Sequence, residues 1–282
     1  MQAELANKVV VVTGGTRGLG FAIARQCANA GARVVVTSRT PSAVEGAVAA
    51  IRDERGAAVG MPCDVANAAD VSAVRELALT SFGRLDVWFN NAGVSAPYGP
   101  TLGVPPEQFL RVIQTNIVGV YQGSFVALQH FVAQRSGKLI NIYGAGDQKI
   151  RPFQNAYGSS KNWVRAFTET LAKEYKGAGV EIIGYNPGLV ITEMLSDVEA
   201  VAGYEEAVKP LETVVRLWGN PPEVPAQRAV WLASSATDGR NGLVVRQLTM
   251  LAMLKGVLKE GWRLVASQPV PDFTLSVHSV KS

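Results

Sequence analysis

The sequence predicts an α/β protein, a single domain built on a doubly wound parallel sheet with helices on both faces. Three observations carry this. Short β-branched apolar runs alternate along the chain with Ala-rich stretches of helical periodicity. The runs are continuous in apolarity, which is the pattern of strands buried on both faces. The first run passes directly into a Gly-rich turn, Thr13-Gly14-Gly15-Thr16-Arg17-Gly18-Leu19-Gly20, and then into a helical pattern. Right-handed crossovers between such units give the doubly wound arrangement.

Strands are expected at 9–12, 34–37, 58–62, 85–89, 139–142, 181–185 and 243–245. Helices are expected at 19–30, 43–55, 68–82, 107–134, 155–176 and 224–233. The stretch 194–222 interrupts this rhythm and is expected to form a lid or substrate-binding segment. Residues 1–248 form the domain and 249–282 a C-terminal extension.

Of the 282 residues 48% are hydrophobic and 18% charged, enough for a large core and incompatible with a disordered chain. Cys27 and Cys63 make neither a disulfide framework nor a metal-binding spacing, so no metal is expected and a reducing, cytoplasmic setting is. The N-terminus lacks the charged and apolar regions of a secretory leader. The net charge of +4 is dispersed, which argues against nucleic-acid binding. The longest apolar stretch, 117–133, is broken by Gln122, Ser124, Gln129 and His130 and reads as a buried helix, not a membrane span. His130 and His278 belong to no motif and are expected to be structural or exposed.

The Gly-rich turn between strand and helix is the pattern of a dinucleotide site. Gly14 allows the tight turn, Gly18 the approach of backbone to a pyrophosphate, and Gly20 close packing of helix on sheet. Thr13, Thr16 and Leu19 complete the loop, and the helix N-terminus offers N–H groups to phosphate. The second strand ends Val36-Thr37-Ser38-Arg39 with no carboxylate for a ribose 2′-hydroxyl. Arg39 together with Arg17 is expected to clamp a 2′-phosphate, which selects NADP(H). Asp64, followed by Val65, accepts from the adenine amine or caps the next helix; both readings are open.

Tyr157 and Lys161 are four residues apart in an expected helix and share a face. An ammonium near a phenol favours phenolate and makes the tyrosine usable as an acid or base. Thr13–Gly20, Asn90-Asn91-Ala92-Gly93, Asn116, Tyr157 with Lys161, and Pro187-Gly188 follow one another at intervals that resemble the short-chain dehydrogenase/reductases, single-domain Rossmann-type enzymes. The resemblance covers about residues 6–246. It implies that Asn90, Asn91, Ala92 and Gly93 border the adenosine side of the cofactor. It also implies that Asn116 holds a water linked to Lys161, and that Tyr157 is the catalytic acid or base. Lys161 binds the nicotinamide ribose and lowers the Tyr157 pKa, while Pro187, Gly188, Val190 and Thr192 line the nicotinamide.

One position departs from the family. A serine is usual thirteen residues before the tyrosine, and here that position is Gly144. Three readings are open: the glycine makes room for a bulky substrate, another donor such as Tyr143, a backbone N–H or water replaces the hydroxyl, or the protein binds cofactor without turnover. Tyr143, Gly144 and Ala145 are the expected substrate-pocket residues. The Gly144-Ala145-Gly146 block and the tail resemble the chlorophyll b reductase branch, which implies reduction of a formyl group on a large tetrapyrrole.

In the tail, Leu251, Leu254, Leu258 and Trp262 share one helix face beside Lys255, Lys259 and Arg263. Such a helix docks on its own core or a partner subunit, or lies on a membrane surface. The expected activity is NADPH-dependent reduction of a small-molecule carbonyl, large and hydrophobic, with Tyr157 as proton donor. The rivals are an imine or enone reductase, a reductase of another bulky natural product, and a non-catalytic NADPH-binding regulator. The resemblance also implies a homodimer or homotetramer built on helices 107–134 and 155–176.

Overall fold

The computed structural model describes residues 4–266 and 273–280. In chain order the main layers are β1 (Val9–Thr13), α1 (Gly18–Asn29), β2 (Arg33–Ser38), α2 (Pro41–Asp53), β3 (Ala57–Pro62), α3 (Ala68–Phe82), β4 (Val87–Asn90), α4 (Pro106–Ile113), α5 (Gly119–Gln134), β5 (Lys138–Ile142), α6 (Asn155–Glu174) and β6 (Glu181–Asn186). Beyond them lie β7 (Leu189–Val190), α7 (Glu193–Ser196), β8 (Asp197–Val201), α8 (Pro210–Trp218), β9 (Gly219–Asn220), α9 (Glu223–Ala233), β10 (Val244–Arg246), α10 (Met250–Val265) and β11 (Ser276–Val280).

The central sheet has seven strands in the order β10-β6-β5-β4-β1-β2-β3, and every pair is parallel. β1 shows why its sequence is an unbroken run of valine. Val10 and Val12 pack with Ile23, Ala47 and Ala226 on the side of α1, α2 and α9. Val9 and Val11 pack with Val74, Ala127 and Phe131 on the side of α3 and α5. Both faces are dry, so no position from Val9 to Val12 is polar. The strand order reverses between β1 and β4, and ligands of such sheets bind at the carboxyl ends flanking that point.

Two expectations are corrected. The helix expected at 107–134 is interrupted by a π-helical turn, Gln114–Val118, that separates α4 from α5 and contains Asn116. Such turns insert one extra residue and redirect side chains, commonly at functional sites.

The extension beyond 248 is not an appendage. α10 packs on α8, and β11 pairs in parallel with β8 from Ser276↔Asp197 to Val280↔Val201. On the other edge of β8, Tyr98 bridges to Ala200. The 194–222 segment is therefore ordered by the end of the chain. β7 and β9 pair at its base, Leu189 with Gly219 and Val190 with Asn220.

Proline at Val277 removes a backbone donor and misfits a two-stranded ladder. Val277→Pro is expected to raise hydrogen exchange of the Asp197–Val201 amides by about tenfold or more while β1 and β4 stay protected. Unchanged protection of β8 would show that β11 does not hold it.

Candidate active site

β1 delivers Thr13 to the end of the sheet. Its buried hydroxyl donates to the Phe89 carbonyl (3.1 Å) and accepts from the N–H groups of Asn91 (3.0 Å) and Ala92 (3.1 Å). The Asn91 side chain returns two bonds, to the carbonyls of Thr13 (2.9 Å) and Gly14 (3.1 Å). The loop after β4 is thus pinned to the Gly-rich turn. Gly14 has φ +62°, and a Cβ there would lie 2.9 Å from Ala92 Cα. A Cβ at Gly20 would lie 2.1 Å from the Gly14 carbonyl oxygen. Arg17 occupies the N-cap of α1 without a side-chain cap bond, so no side chain closes the helix N-terminus. A tight, glycine-lined backbone facing an uncapped helix start fits a pyrophosphate. Thr192 lies against Gly18, its Cγ2 3.1 Å from where a Cβ would stand, with Thr16 and Leu19 half-buried in the same loop.

Asn90 and Arg17 do not do what was expected of them. Asn90 turns inward and donates to Asn141 Oδ1 (2.8 Å) and Ser124 Oγ (3.0 Å), so it braces the core instead of bordering a cofactor. Arg17 is ion-paired with Glu193 at the start of α7. Arg39 stands exposed after Ser38, whose hydroxyl donates to Thr40 O (3.4 Å). Asp64 is not the cap of α3. Asn67 is, accepting from the N–H of Ala69 (2.9 Å), while Asp64 Oδ1 accepts from Ala66 N–H (3.0 Å) in the preceding turn. Val65 is buried against Gly119.

Asn116 joins the loop after β4 to α6. Its side chain accepts from Val94 N–H (2.9 Å) and donates to Val94 O (3.0 Å) and Ser160 Oγ (3.0 Å). Ser160 in turn donates to the Tyr157 carbonyl (2.7 Å). Lys161 is buried, and its Nζ donates to Ile142 O (3.1 Å) at the end of β5 and lies 5.7 Å from the Tyr157 ring centre. A Cβ at Gly93 would come within 3.6 Å of that ammonium. Burial pushes the Lys161 pKa down to about 8 against the opposing pull of Asp147. Burial pushes the Tyr157 phenol up to about 12, and the Asp147 carboxylate adds to this. For Tyr157 burial sets the direction, and the phenol lies above the ordinary tyrosine value.

The space of the missing serine is filled from within the protein. A Cβ at Gly144 would stand 2.5 Å from the Tyr157 hydroxyl and 3.2 Å from two Lys161 carbons. The glycine thus seats the tyrosine, which corrects the expectation that it leaves a void for substrate. Tyr143 is no replacement donor and no pocket residue. It points into the core between Val120 and Val164. Gly144 is buried and Ala145 exposed.

Several residues outside every motif also shape this end of the sheet. Asn186 accepts from Gly188 N–H (2.9 Å) and donates to Gly144 O (3.4 Å), tying the Pro187-Gly188 turn to the tyrosine's seat. Buried Asp147 pairs with Arg246 of β10 at 2.5 Å, and its carbonyl accepts from Arg165 Nε (2.7 Å). Tyr98, Phe153 and Tyr204 form an aromatic cluster, with ring centres 5.6 and 5.4 Å apart, that connects the loop after β4, the approach to α6 and the 194–222 segment. Phe153 adopts φ 65°, a strained backbone for an aromatic residue. Among these, the buried Asp147 was visible in the glycine block, but its partner lies ninety-nine residues away.

The Lys161 shift has a consequence for stability. Its pKa in the fold, about 8, lies below the ordinary 10.5, so the fold pays for burying the ammonium below about pH 8 and is relieved as pH rises toward 10.5. Lys161→Met is expected to be more stable than the parent at neutral pH by about 2 kcal/mol, after allowance for the Ile142 carbonyl that loses its donor. The gain should shrink through the alkaline window. Urea melts across pH check this, and a less stable variant at neutral pH would show that the ammonium is not desolvated.

Comparison with known proteins agrees with this geometry. The family model described as short chain dehydrogenase matches residues 8–202. The 3beta-hydroxysteroid dehydrogenase 1 of Eggerthella lenta is 36% identical over 242 residues, 83% of this chain and 89% of that protein. A probable chloroplastic chlorophyll(ide) b reductase of Oryza sativa subsp. japonica is 33% identical over 66% of this chain, which spans 41% of that protein. Among solved structures, the 3-ketoacyl-(acyl-carrier-protein) reductase of Brucella melitensis complexed with NADH superposes with a TM-score of 0.77 at 27% identity, covering 86% of this chain and 97% of that one. A gluconate 5-dehydrogenase of Beutenbergia cavernae with bound NADP, its function given as putative, superposes at 0.76 and 29% identity over 87% of this chain and 97% of that one. With a Rossmann-type sheet, a glycine loop open to pyrophosphate and a Tyr157–Lys161 pair at its carboxyl edge, the chain belongs to the short-chain dehydrogenase family of nicotinamide-dependent oxidoreductases.

Proposed function

We propose that this protein reduces a carbonyl on a large apolar molecule with NADPH. The observation that carries the reading is the Tyr157 hydroxyl seated against Gly144 with the Lys161 ammonium beside its ring. The bound nicotinamide supplies the hydride. As negative charge gathers on the carbonyl oxygen, Tyr157 gives it a proton, a role that suits a phenol whose proton is held until needed. Lys161, held by Ile142 O, places positive charge beside the developing phenolate, and Asn116 with Ser160 keeps the start of α6 in register. Pro187, Gly188, Val190 and Thr192 orient the nicotinamide, and Ala92 and Gly93 border the cofactor beside the Gly-rich loop.

A large apolar substrate is supported by the rim. Tyr98, Phe153 and Tyr204 meet over the approach to α6, and Ile150 and Met194 stand exposed nearby in sequence. The relatives named for a steroid and for chlorophyll(ide) act on rigid molecules of this kind, and a tetrapyrrole formyl group remains the sharpest form of the proposal. NADPH is favoured by Arg39 in place of a carboxylate after β2. Two copies pairing through α5 and α6 are supported by Tyr121 and Phe125, stacked and half exposed on α5.

Nicotinamide absorbance is to be followed with NADPH or NADH against steroid ketones, tetrapyrrole aldehydes and small carbonyls. Turnover is expected with NADPH and the large carbonyls, and Arg39→Ala is expected to weaken NADPH about tenfold to a hundredfold while sparing NADH. Equal use of both cofactors, or turnover of small carbonyls alone, contradicts the reading.

Gly144→Ala adds no donor and only displaces the Tyr157 hydroxyl. It is expected to lower kcat/KM by about tenfold or more for every carbonyl tested, whatever its size. A loss confined to large carbonyls would mean that Gly144 makes room for substrate instead.

A further inference from the structure

The C-terminal helix is docked by one side only. Trp218 Nε1 donates to Met253 O (3.1 Å), Gly256 approaches Leu217 O so closely that a Cβ would lie 2.3 Å away, and Glu260 binds Arg216 (2.9 Å) and Arg263 (2.8 Å). These positions recur three or four residues apart and form one face. The opposite face carries Met250, Leu251, Leu254, Val257, Leu258 and Trp262, between 52% and 80% exposed. Lys255 and Lys259 border this strip along one edge and are also exposed. The helix has one carboxylate, Glu260, and it is bonded on the docked side. The outward face is therefore apolar with a cationic edge and no anion.

We propose that α10 lies on an anionic lipid surface, its apolar strip in the acyl boundary and Lys255 and Lys259 among the headgroup phosphates. Among the described residues no helix is long and apolar enough to cross a membrane, so the contact is with one leaflet. Charge selects this occupant over a second copy. Two such faces meeting would bring four lysines together around a dry strip with no carboxylate to answer them. A bilayer asks only for one apolar helix face with cations at its edge. The helix rests on α8 and leads to β11, so a surface-bound α10 sets the lid beside the membrane. The inference does not rest on the substrate reading, because surface binding is measured without turnover.

The full-length protein is to be sedimented with vesicles of equimolar phosphatidylglycerol and phosphatidylcholine, and with phosphatidylcholine alone. Binding is expected to the anionic vesicles and to fall with salt. Lys255→Gln with Lys259→Gln should weaken it about thirtyfold. Leu254→Ser with Leu258→Ser should abolish it, while circular dichroism and NADPH binding show that both variants fold. Absence of vesicle binding, equal binding to neutral vesicles, or binding unmoved by either variant overturns the proposal. So does a concentration-dependent dimer in gel filtration that the leucine variant disperses without any vesicle binding, which would assign the face to a second copy.

Discussion

The site depends on one hydroxyl. Thr13 Oγ1 bonds Phe89, Asn91 and Ala92 at the reversal point of the sheet, and it does so from a position with no access to water. Buried hydrogen bonds of this kind contribute modestly when made and cost more when one partner is lost. Through them the end of β1 and the loop after β4 become one body. That loop fixes Val94, Val94 fixes Asn116, Asn116 fixes Ser160, and Ser160 lies one residue before Lys161. Hence the cofactor loop and the proton-donating helix, far apart in sequence, are held in a common frame by side chains that touch neither hydride nor proton.

Within that frame the unusual feature is a site stripped of one polar group. With no side chain at 144, the half-buried Tyr157 brings its hydroxyl up to the strand end beside buried Lys161. Desolvation then governs both groups: it keeps the phenol protonated and makes the ammonium costly. The cost is carried by the buried core around it, as is usual where a functional site is held against its own stability. Asp147 opposes the effect on the lysine and reinforces it on the tyrosine, and Arg246 anchors that carboxylate from β10. The charge state of the site is thus linked to the last strand of the sheet.

Much of the fold was legible because it rests on local signals. Continuous valine runs mark doubly covered strands, and glycine punctuation marks the turn where backbone meets backbone. The seven strands and the helices α1, α2, α3, α6 and α9 lie within two residues of their expected bounds. What escaped was non-local. The π-turn at Gln114–Val118 leaves the helical periodicity almost unchanged, so it was read as continuous helix. β11 joins the 194–222 segment through a parallel pairing with a strand about eighty residues earlier, which no local pattern announces. Arg17 was read as facing a phosphate because its sequence neighbours face one, yet a carboxylate brought from α7 claims it. Tyr143 and Tyr157 are both tyrosines near Gly144, but Tyr143 turns into the core just past β5 while Tyr157 reaches Gly144 from α6. The helical face at Leu251, Leu254, Leu258 and Trp262 was legible as a face, but not which way it points: the structure turns it outward.

The central claim is that Tyr157 is a half-buried acid, seated on Gly144, that keeps its proton at neutral pH. Its ionisation can be read directly from the difference in tyrosinate absorbance between the parent and Tyr157→Phe, both without cofactor. The account predicts no tyrosinate at position 157 from neutral pH up to about pH 10, the ordinary tyrosine pKa. A difference signal with a midpoint below about 10 would mean that Lys161 outweighs burial, and would contradict it.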